Sequence, residues 1–226
     1  CVVKLPDIND YWSTDIFSAT RFARKLLSRD RFKGIMKMLH LNDNANYVRR
    51  GENGYDPIYK IRPFFDFFIE KCHNSFKPYA NLTVDEGICP FRGRVGFRVY
   101  MKNKPNKYGI KLYILCDAAT GYVLNCDVYT GAAGNKDNTI QGIFERLCNN
   151  YFGKGHCIYM DRFYTSPALL NFLWGKKTVG VGTVMKNRRG LPSIFKTKKL
   201  KKGEVIFQRK AHLLACKWKS AREVYS

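Results

Sequence analysis

Acidic residues are scarce in this sequence: 18 Asp and Glu stand against 40 Lys and Arg, a formal charge of +22. A folded chain with that excess is expected to face a polyanion. Long apolar runs are also missing. The longest stretch without Asp, Glu, Lys or Arg is residues 163–175, only 13 residues, whereas a bilayer-spanning helix needs about 20. That excludes an integral membrane helix. No two of the eight cysteines lie within four residues of each other and no Cys-x-x-Cys occurs, which removes the spacing of a structural zinc site. No basic start followed by an apolar run marks a signal peptide, so free thiols of an intracellular protein are expected. Internal repeats and low-complexity linkers are absent as well.

What is present is enough for a packed core. The chain has 226 residues, 45% hydrophobic and 15% aromatic, a size for one large domain or two modest ones. It opens on Cys1 and closes on a strand-like run at Arg222-Glu223-Val224-Tyr225-Ser226, so a piece of a longer polypeptide is expected. Residues 1–78 read as helical. Ser28 caps a helix with Phe32, Ile35, Met36 and Leu39 at i, i+3, i+4 and i+7, the spacing of one apolar face. A second helix carries Ile61, Phe64, Phe65, Phe68, Cys72 and Phe76, with Pro63 in its first turn. Residues 42–57 between them read as a loop.

From Asn81 the pattern changes to β. Leu82-Thr83-Val84 predicts a short strand ending at Asp85-Glu86. Residues 108–116 and 122–130 predict two strands joined by a turn at Asp117-Ala-Ala-Thr-Gly121. Residues 135–151 carry Ile140, Ile143, Phe144 and Leu147 at helical spacing, and a short strand at 156–160 runs into Asp161. Ser166-Pro167 then starts a helix bearing Leu169, Leu170 and Leu173, and residues 178–185 predict another strand. Three strands, helix, strand, helix, strand is the order of an α/β fold with a mixed sheet.

Two carboxylates carry the chemistry. Asp85 and Asp161 each follow an apolar strand, 76 residues apart. Two such groups brought to one sheet edge repel unless divalent cations neutralise them, and a Mg²⁺ pair serves phosphodiester cleavage or transfer. The same positions also suit strand ends and turn caps, and spacing alone leaves both readings open. Beside Asp85 lie Arg92, Arg94, Arg98, Lys102, Lys104, Lys107 and Lys111, with Phe91, Phe97, Tyr100 and Tyr108 interleaved and no acid between Cys89 and Lys111. Read as a loop, this segment suits a phosphodiester substrate. A second basic cluster, Lys196, Lys198, Lys199, Lys201 and Lys202, falls in the final 51 residues, which hold 15 basic and 2 acidic side chains; it fits a phosphate-binding patch, a nuclear localisation signal or a solvated charge run.

Several blocks together resemble the piggyBac transposase family. They are Thr83-Val84-Asp85-Glu86 with Phe91-Arg92-Gly93-Arg94, and Asn103-Lys104-Pro105-Asn106-Lys107-Tyr108-Gly109-Ile110-Lys111. Cys116-Asp117, Thr120-Gly121-Tyr122, Asp161-Arg162-Phe163-Tyr164-Thr165-Ser166, Gly182-Thr183-Val184 and Asn187-Arg188 continue the series, and Asp10-Tyr11-Trp12, Arg31-Phe32, Leu39-His40 and Asp43-Asn44 precede it. The resemblance runs in order over essentially the whole chain. It implies a ribonuclease H-like core with three catalytic aspartates and two divalent metals, Mg²⁺ or Mn²⁺. It also implies cut-and-paste transposition of duplex DNA through hairpin ends at TTAA targets, a homodimer, and action in the nucleus. Asp85 and Asp161 take the first two catalytic and metal-binding positions. The implied layout is a helical DNA-binding and dimerisation domain at 1–78, the first part of the core at 79–186, and the start of a basic, β-rich insertion domain at 187–226. The family's third aspartate, in a Gly-Val-Asp motif, has no match: only Glu204 and Glu223 follow Asp161. The expectation is therefore a transposase piece inactive alone, with a domesticated, DNA-binding derivative as the alternative.

Other polar residues are expected to be structural. Alternation turns Glu86 away from Asp85's side, towards a supporting salt bridge; Asp117 starts the turn; Asp127 shares a solvent-facing side with Asn125. His40 and His156 are expected in capping or core roles, and Trp12, Trp174 and Trp218 as packing anchors.

Overall fold

The computed structural model describes residues 3–15, 20–102, 107–131 and 136–226, so Lys104 and its neighbours 103, 105 and 106 lie outside the described residues. The chain divides into two compact units, residues 1–47 with 58–63, and residues 48–57 with 64–226.

The first unit is built of short helical pieces. A 3-10 turn at Ile8–Trp12 is closed by Asp7, whose carboxylate accepts the Asn9 N–H at 2.7 Å while Asp10 reaches back to the Asp7 N–H. Helices α1 (Arg21–Leu26) and α2 (Arg29–Met38) follow, the second capped by the Ser28 hydroxyl on the Arg31 N–H. Trp12 anchors them: its indole donates to the Leu27 carbonyl at 2.7 Å and its ring lies 5.2 Å from Phe32. The apolar stripe of α2 differs from expectation, since Ile35 and Met36 are about half exposed at 47% and 51%.

Helix α3 (Arg62–Ser75), which belongs to the second unit from Phe64 on, has Pro63 in its first turn, where the missing N–H costs nothing. Six strands form the main sheet among the described residues: β1 (Asn81–Pro90), β2 (Arg98–Tyr100), β3 (Tyr108–Asp117), β4 (Val123–Val128), β5 (Cys157–Met160) and β6 (Val179–Gly182). β3 is central. It pairs antiparallel with β1 on one side and, on the other, with β2 at its start and β4 along its remainder. β1, β5 and β6 then run parallel, and α4 (Ile140–Cys148) and α5 (Pro167–Gly175) lie in the crossovers. The sheet is thus mixed, as the element order predicts.

One face of the sheet makes the core. Leu82, Val84, Tyr113, Leu115, Leu124, Ile158 and Met160 pack with Ile143, Phe144 and Leu147 of α4 and Leu169 and Leu173 of α5. Each such side chain contributes about 1.5–3 kcal/mol by leaving water. The opposite face stays open at β5 and β6, where Tyr159, Val179 and Val181 are 41%, 50% and 39% exposed. Gly182 is required by close approach: a Cβ there would stand 2.3 Å from both the Met160 carbonyl oxygen and Thr165 Oγ1.

Three local expectations are corrected. β1 does not stop at Asp85 but continues to Pro90, because β3 supplies it with a partner through Gly109. The basic segment from Cys89 to Lys111 is only in part a loop: β1, β2 and β3 form a strand ribbon across it that holds Arg98 and Lys111, while Arg92, Arg94, Lys102 and Lys107 lie in its connections. Asp127 does not face solvent: it is 8% exposed and its carboxylate pairs with Lys136 and Arg146, at 2.9 Å to the latter. Asn125, beside it, donates to the Arg146 and Leu147 carbonyls, which brings this edge of β4 against the end of α4. Asp117 is buried in the turn it starts, accepting from the N–H groups of Tyr79 and Thr120 and from the Thr120 hydroxyl. Burial pushes its carboxyl up, but these donors prevail and hold it below the usual carboxylate range.

After β6 come a short helix α6 (Ser193–Thr197) and an antiparallel meander, β7 (Val205–Lys210), β8 (Leu213–Lys219) and β9 (Glu223–Tyr225). Val184, Phe195 and Tyr225 form its small core. Lys217 is buried within it, 1% exposed, donating to the Phe195 and Lys198 carbonyls and pairing with Glu223 at 3.1 Å. The hairpin tip reaches α5, where His212 stacks on Trp174 at 4.7 Å and bonds Asn171. The seven described cysteines are free.

Candidate metal and nucleic-acid site

Asp85 and Asp161 come together through the parallel ladder between β1 and β5. Its last pair is Val84 with Met160, and the next residue of each strand is one of these aspartates. Neighbouring strands lie about 5 Å apart, so the ladder brings the two aspartates next to each other at adjacent strand ends. Val84 and Met160 are buried on the helix face; Asp85 and Asp161 follow them and are exposed.

Each carboxylate is oriented from its own backbone. Asp85 Oδ1 accepts the Glu86 N–H at 2.8 Å. Asp161 Oδ1 accepts the Phe163 N–H at 2.8 Å and, more weakly, the Tyr164 N–H at 3.4 Å. The Asp161 carbonyl receives both the N–H and the hydroxyl of buried Thr165. Arg188 closes the turn from outside, its guanidinium donating to the Arg162 carbonyl at 2.9 Å and the Phe163 carbonyl at 2.6 Å. The peptide joining Arg162 to Phe163 is therefore held at both ends, its C=O by Arg188 and its N–H by Asp161.

On the helix face, Glu86 accepts a hydrogen bond from the Tyr164 hydroxyl at 2.8 Å, so alternation does turn it away from Asp85's side. Burial raises the Tyr164 phenol well above its ordinary value, reinforced by the Glu86 bond and the charges of Glu86 and Asp85. It therefore stays a neutral donor. Burial, with the Asp85 and Asp117 charges adding to it, also raises the Cys116 thiol on the neighbouring strand, which makes it a poor nucleophile.

The donor set suits a hard divalent cation. Each aspartate keeps a second oxygen without a hydrogen bond among the described residues, and Mg²⁺ takes one or two carboxylates with water and phosphate oxygens. No group of three His, Cys, Asp or Glu side chains able to hold a metal occurs among the described residues.

The predicted cations distribute unevenly. Arg92, Arg94, Arg98, Lys102 and Lys107 are exposed along the ribbon. Lys111 is half-buried on the helix face, its ammonium 4.9 Å from the Tyr113 ring centre and 5.5 Å from that of Phe163. Lys198, Lys199, Lys201 and Lys202 are exposed on the connection between α6 and β7. Sequence reasoning missed Arg162, Lys186 and Arg222, which line an open groove of about 700 Å³ next to Asp161. Only Arg162's adjacency to Asp161 signalled it; Lys186 comes from the segment after β6 and Arg222 from the turn between β8 and β9.

The family described as Transposase IS4 matches residues 1–226, and the chain belongs to it, on its piggyBac-type branch. It is 29% identical over 196 residues to the human "PiggyBac transposable element-derived protein 3", covering 82% of this chain and 31% of that protein. It is 24% identical over 234 residues to the human "PiggyBac transposable element-derived protein 2", covering 96% and 38%. The fold matches the cryo-EM structure of a piggyBac transposase synaptic complex with hairpin DNA at a TM-score of 0.82 and 31% identity, over 91% of this chain and 44% of that one. The chain thus spans about a third of the length of these curated relatives.

Proposed function

We propose that this chain supplies the first two catalytic carboxylates of a piggyBac-like transposase, a metal-dependent enzyme that cleaves and rejoins duplex DNA. The observation that carries the reading is the placement of Asp85 and Asp161 directly after the last pair of one parallel ladder. The strand order, with β3 and β4 antiparallel beside β1 and with β5 and β6 parallel to it, supports a ribonuclease H-like core. The division at 1–78, 79–186 and 187–226, with DNA-binding and dimerising helices first and a basic insertion last, is part of the same reading.

Asp85 and Asp161 would hold Mg²⁺ or Mn²⁺. Such an ion activates an attacking oxygen and stabilises a leaving one at a phosphodiester. The chain's own residues do the positioning. The Glu86 and Phe163 N–H groups fix one oxygen of each carboxylate, and Arg188 fixes the turn behind Asp161. The ribbon cations and Lys198, Lys199, Lys201 and Lys202 bind phosphates of the duplex, sequence-independently. A third carboxylate, which family membership implies, would complete the site. TTAA targets, homodimerisation and a nuclear location follow from family membership as further parts of the proposal.

The test is substitution in the full-length parent. Asp85→Asn or Asp161→Asn is expected to abolish Mg²⁺-dependent strand cleavage while DNA affinity changes little. Cleavage retained by either variant removes that residue from the site. A parent that binds DNA but shows no cleavage with both aspartates intact favours the domesticated, non-catalytic reading.

A further inference from the structure

The ribbon formed by β2 and β3 carries a feature that phosphate binding does not use. Tyr100 and Tyr108 are directly opposite each other in the register, with ring centres 4.9 Å apart and planes inclined by 48°. Both are more than half exposed, at 54% and 56%. Arg98 holds its guanidinium carbon 5.6 Å from the Tyr108 ring centre. Its Nη1 donates to the Arg92 and Gly93 carbonyls at 3.2 Å each. Carbonyls fix that cation without neutralising it. Gly109 holds the backbone beside Tyr108: a Cβ there would stand 2.3 Å from the Cys89 carbonyl oxygen, so only glycine allows β1 this close.

Alternation places Tyr108 on the same sheet face as Ile114, the cross-strand partner of Asp85. The two positions are six residues apart on β3, about 20 Å along the strand. Exposed Lys102 and Lys107 lie close to the pair in sequence, and the Arg98 bonds bring exposed Arg92 to the same ribbon. Fixed aromatic faces among unneutralised cations are what a nucleotide without a pairing partner needs: phosphate attraction together with a ring on which its base can stack. Bases inside a duplex cannot reach such faces.

We propose that Tyr100 and Tyr108, backed by Arg98, form a stacking platform for unpaired bases of a DNA strand that enters along the open sheet face. The proposal rests on the DNA-binding part of the reading above and is independent of the aspartates. The experiment compares binding of a labelled oligothymidylate and of a duplex by the 226-residue chain, using fluorescence anisotropy at fixed salt. Replacing both tyrosines by Ala is expected to weaken single-strand binding about tenfold or more, since one stacked base is worth about 1–3 kcal/mol, with duplex binding within about twofold of wild type. The Tyr100→Phe, Tyr108→Phe variant keeps wild-type affinity. In parallel, a 5-iodouracil oligonucleotide crosslinked to the unmutated chain is expected to mark Tyr100 or Tyr108. Equal single-strand affinity in the Ala variant, or crosslinks only elsewhere, overturns the platform while duplex binding keeps the wider reading intact. Failure to bind either DNA overturns both.

Discussion

Lys217 gives the sharpest stability prediction. A lysine 1% exposed in a three-stranded sheet is tolerated only because each face of its ammonium is engaged. The Phe195 and Lys198 carbonyls accept from it, Glu223 Oε1 lies 3.1 Å away, and the Tyr225 ring centre is at 5.3 Å. Lys217→Met keeps the stem and removes the charge. Each acceptor left without a donor costs about 1–3 kcal/mol where it is buried, and relief of the ammonium's desolvation offsets part of that. The net loss expected is about 2–4 kcal/mol, a fall in melting temperature of roughly 4–16 °C for a chain of this size. Protection of β7, β8 and β9 amides against hydrogen exchange should fall with it. The pH dependence adds a second check. The Leu200 N–H, then Lys217, then the Tyr225 hydroxyl hold the Glu223 carboxyl down to about 2 from an ordinary 4.5. A depressed carboxyl stabilises the fold above its ordinary value and loses that contribution as pH falls towards its folded value. The gap between wild type and Lys217→Met should therefore be constant above about pH 4.5 and narrow towards about pH 2. A variant within about 1 kcal/mol of wild type, or a gap that ignores pH, refutes the reasoning.

Gly182→Ala forces a Cβ against Met160 and Thr165. It should cost about 1–3 kcal/mol, measured as a lower urea midpoint. Arg188→Ala frees the Arg162 and Phe163 carbonyls; amide exchange at Phe163 and Tyr164 should accelerate, while global stability falls by no more than about 1.5 kcal/mol. Duplex DNA affinity of the chain should drop tenfold or more between about 50 and about 200 mM salt, and a flat dependence in the same anisotropy assay removes the phosphate contacts.

The elements that local chemistry dictates were legible. Ser166 with Pro167 marks α5, the Asp117 to Gly121 turn marks the β3–β4 hairpin, and apolar spacing marks α4. The run of elements even gave the mixed sheet. What was not legible depended on partners distant in sequence. β1 continues past Asp85 because β3 pairs with it, and nothing in Glu86-Gly87-Ile88 announces that. Asp127 looked solvent-facing by alternation, yet Arg146 comes to it from a helix. Helical periodicity overstated burial in α2, since the spacing of Ile35 and Met36 describes a face but not what covers it. For the site, Asp85 and Asp161 stood out by position and by resemblance, whereas Arg188 and the groove cations need the fold to reach the same place.

The parallel pairing of β1 with β5 has a kinetic consequence. Its two strands are separated by β2, β3, β4 and α4, and the aspartates at its end are 76 residues apart in the chain. Closing so large a loop must precede any reward from the contact, whereas β3 and β4 meet across a short turn. The hairpin can form while the two carboxylates are still far apart. β2 and β3 are likewise near neighbours in sequence, so a partly folded chain assembles Arg98 and Lys111 on paired strands before its two aspartates meet.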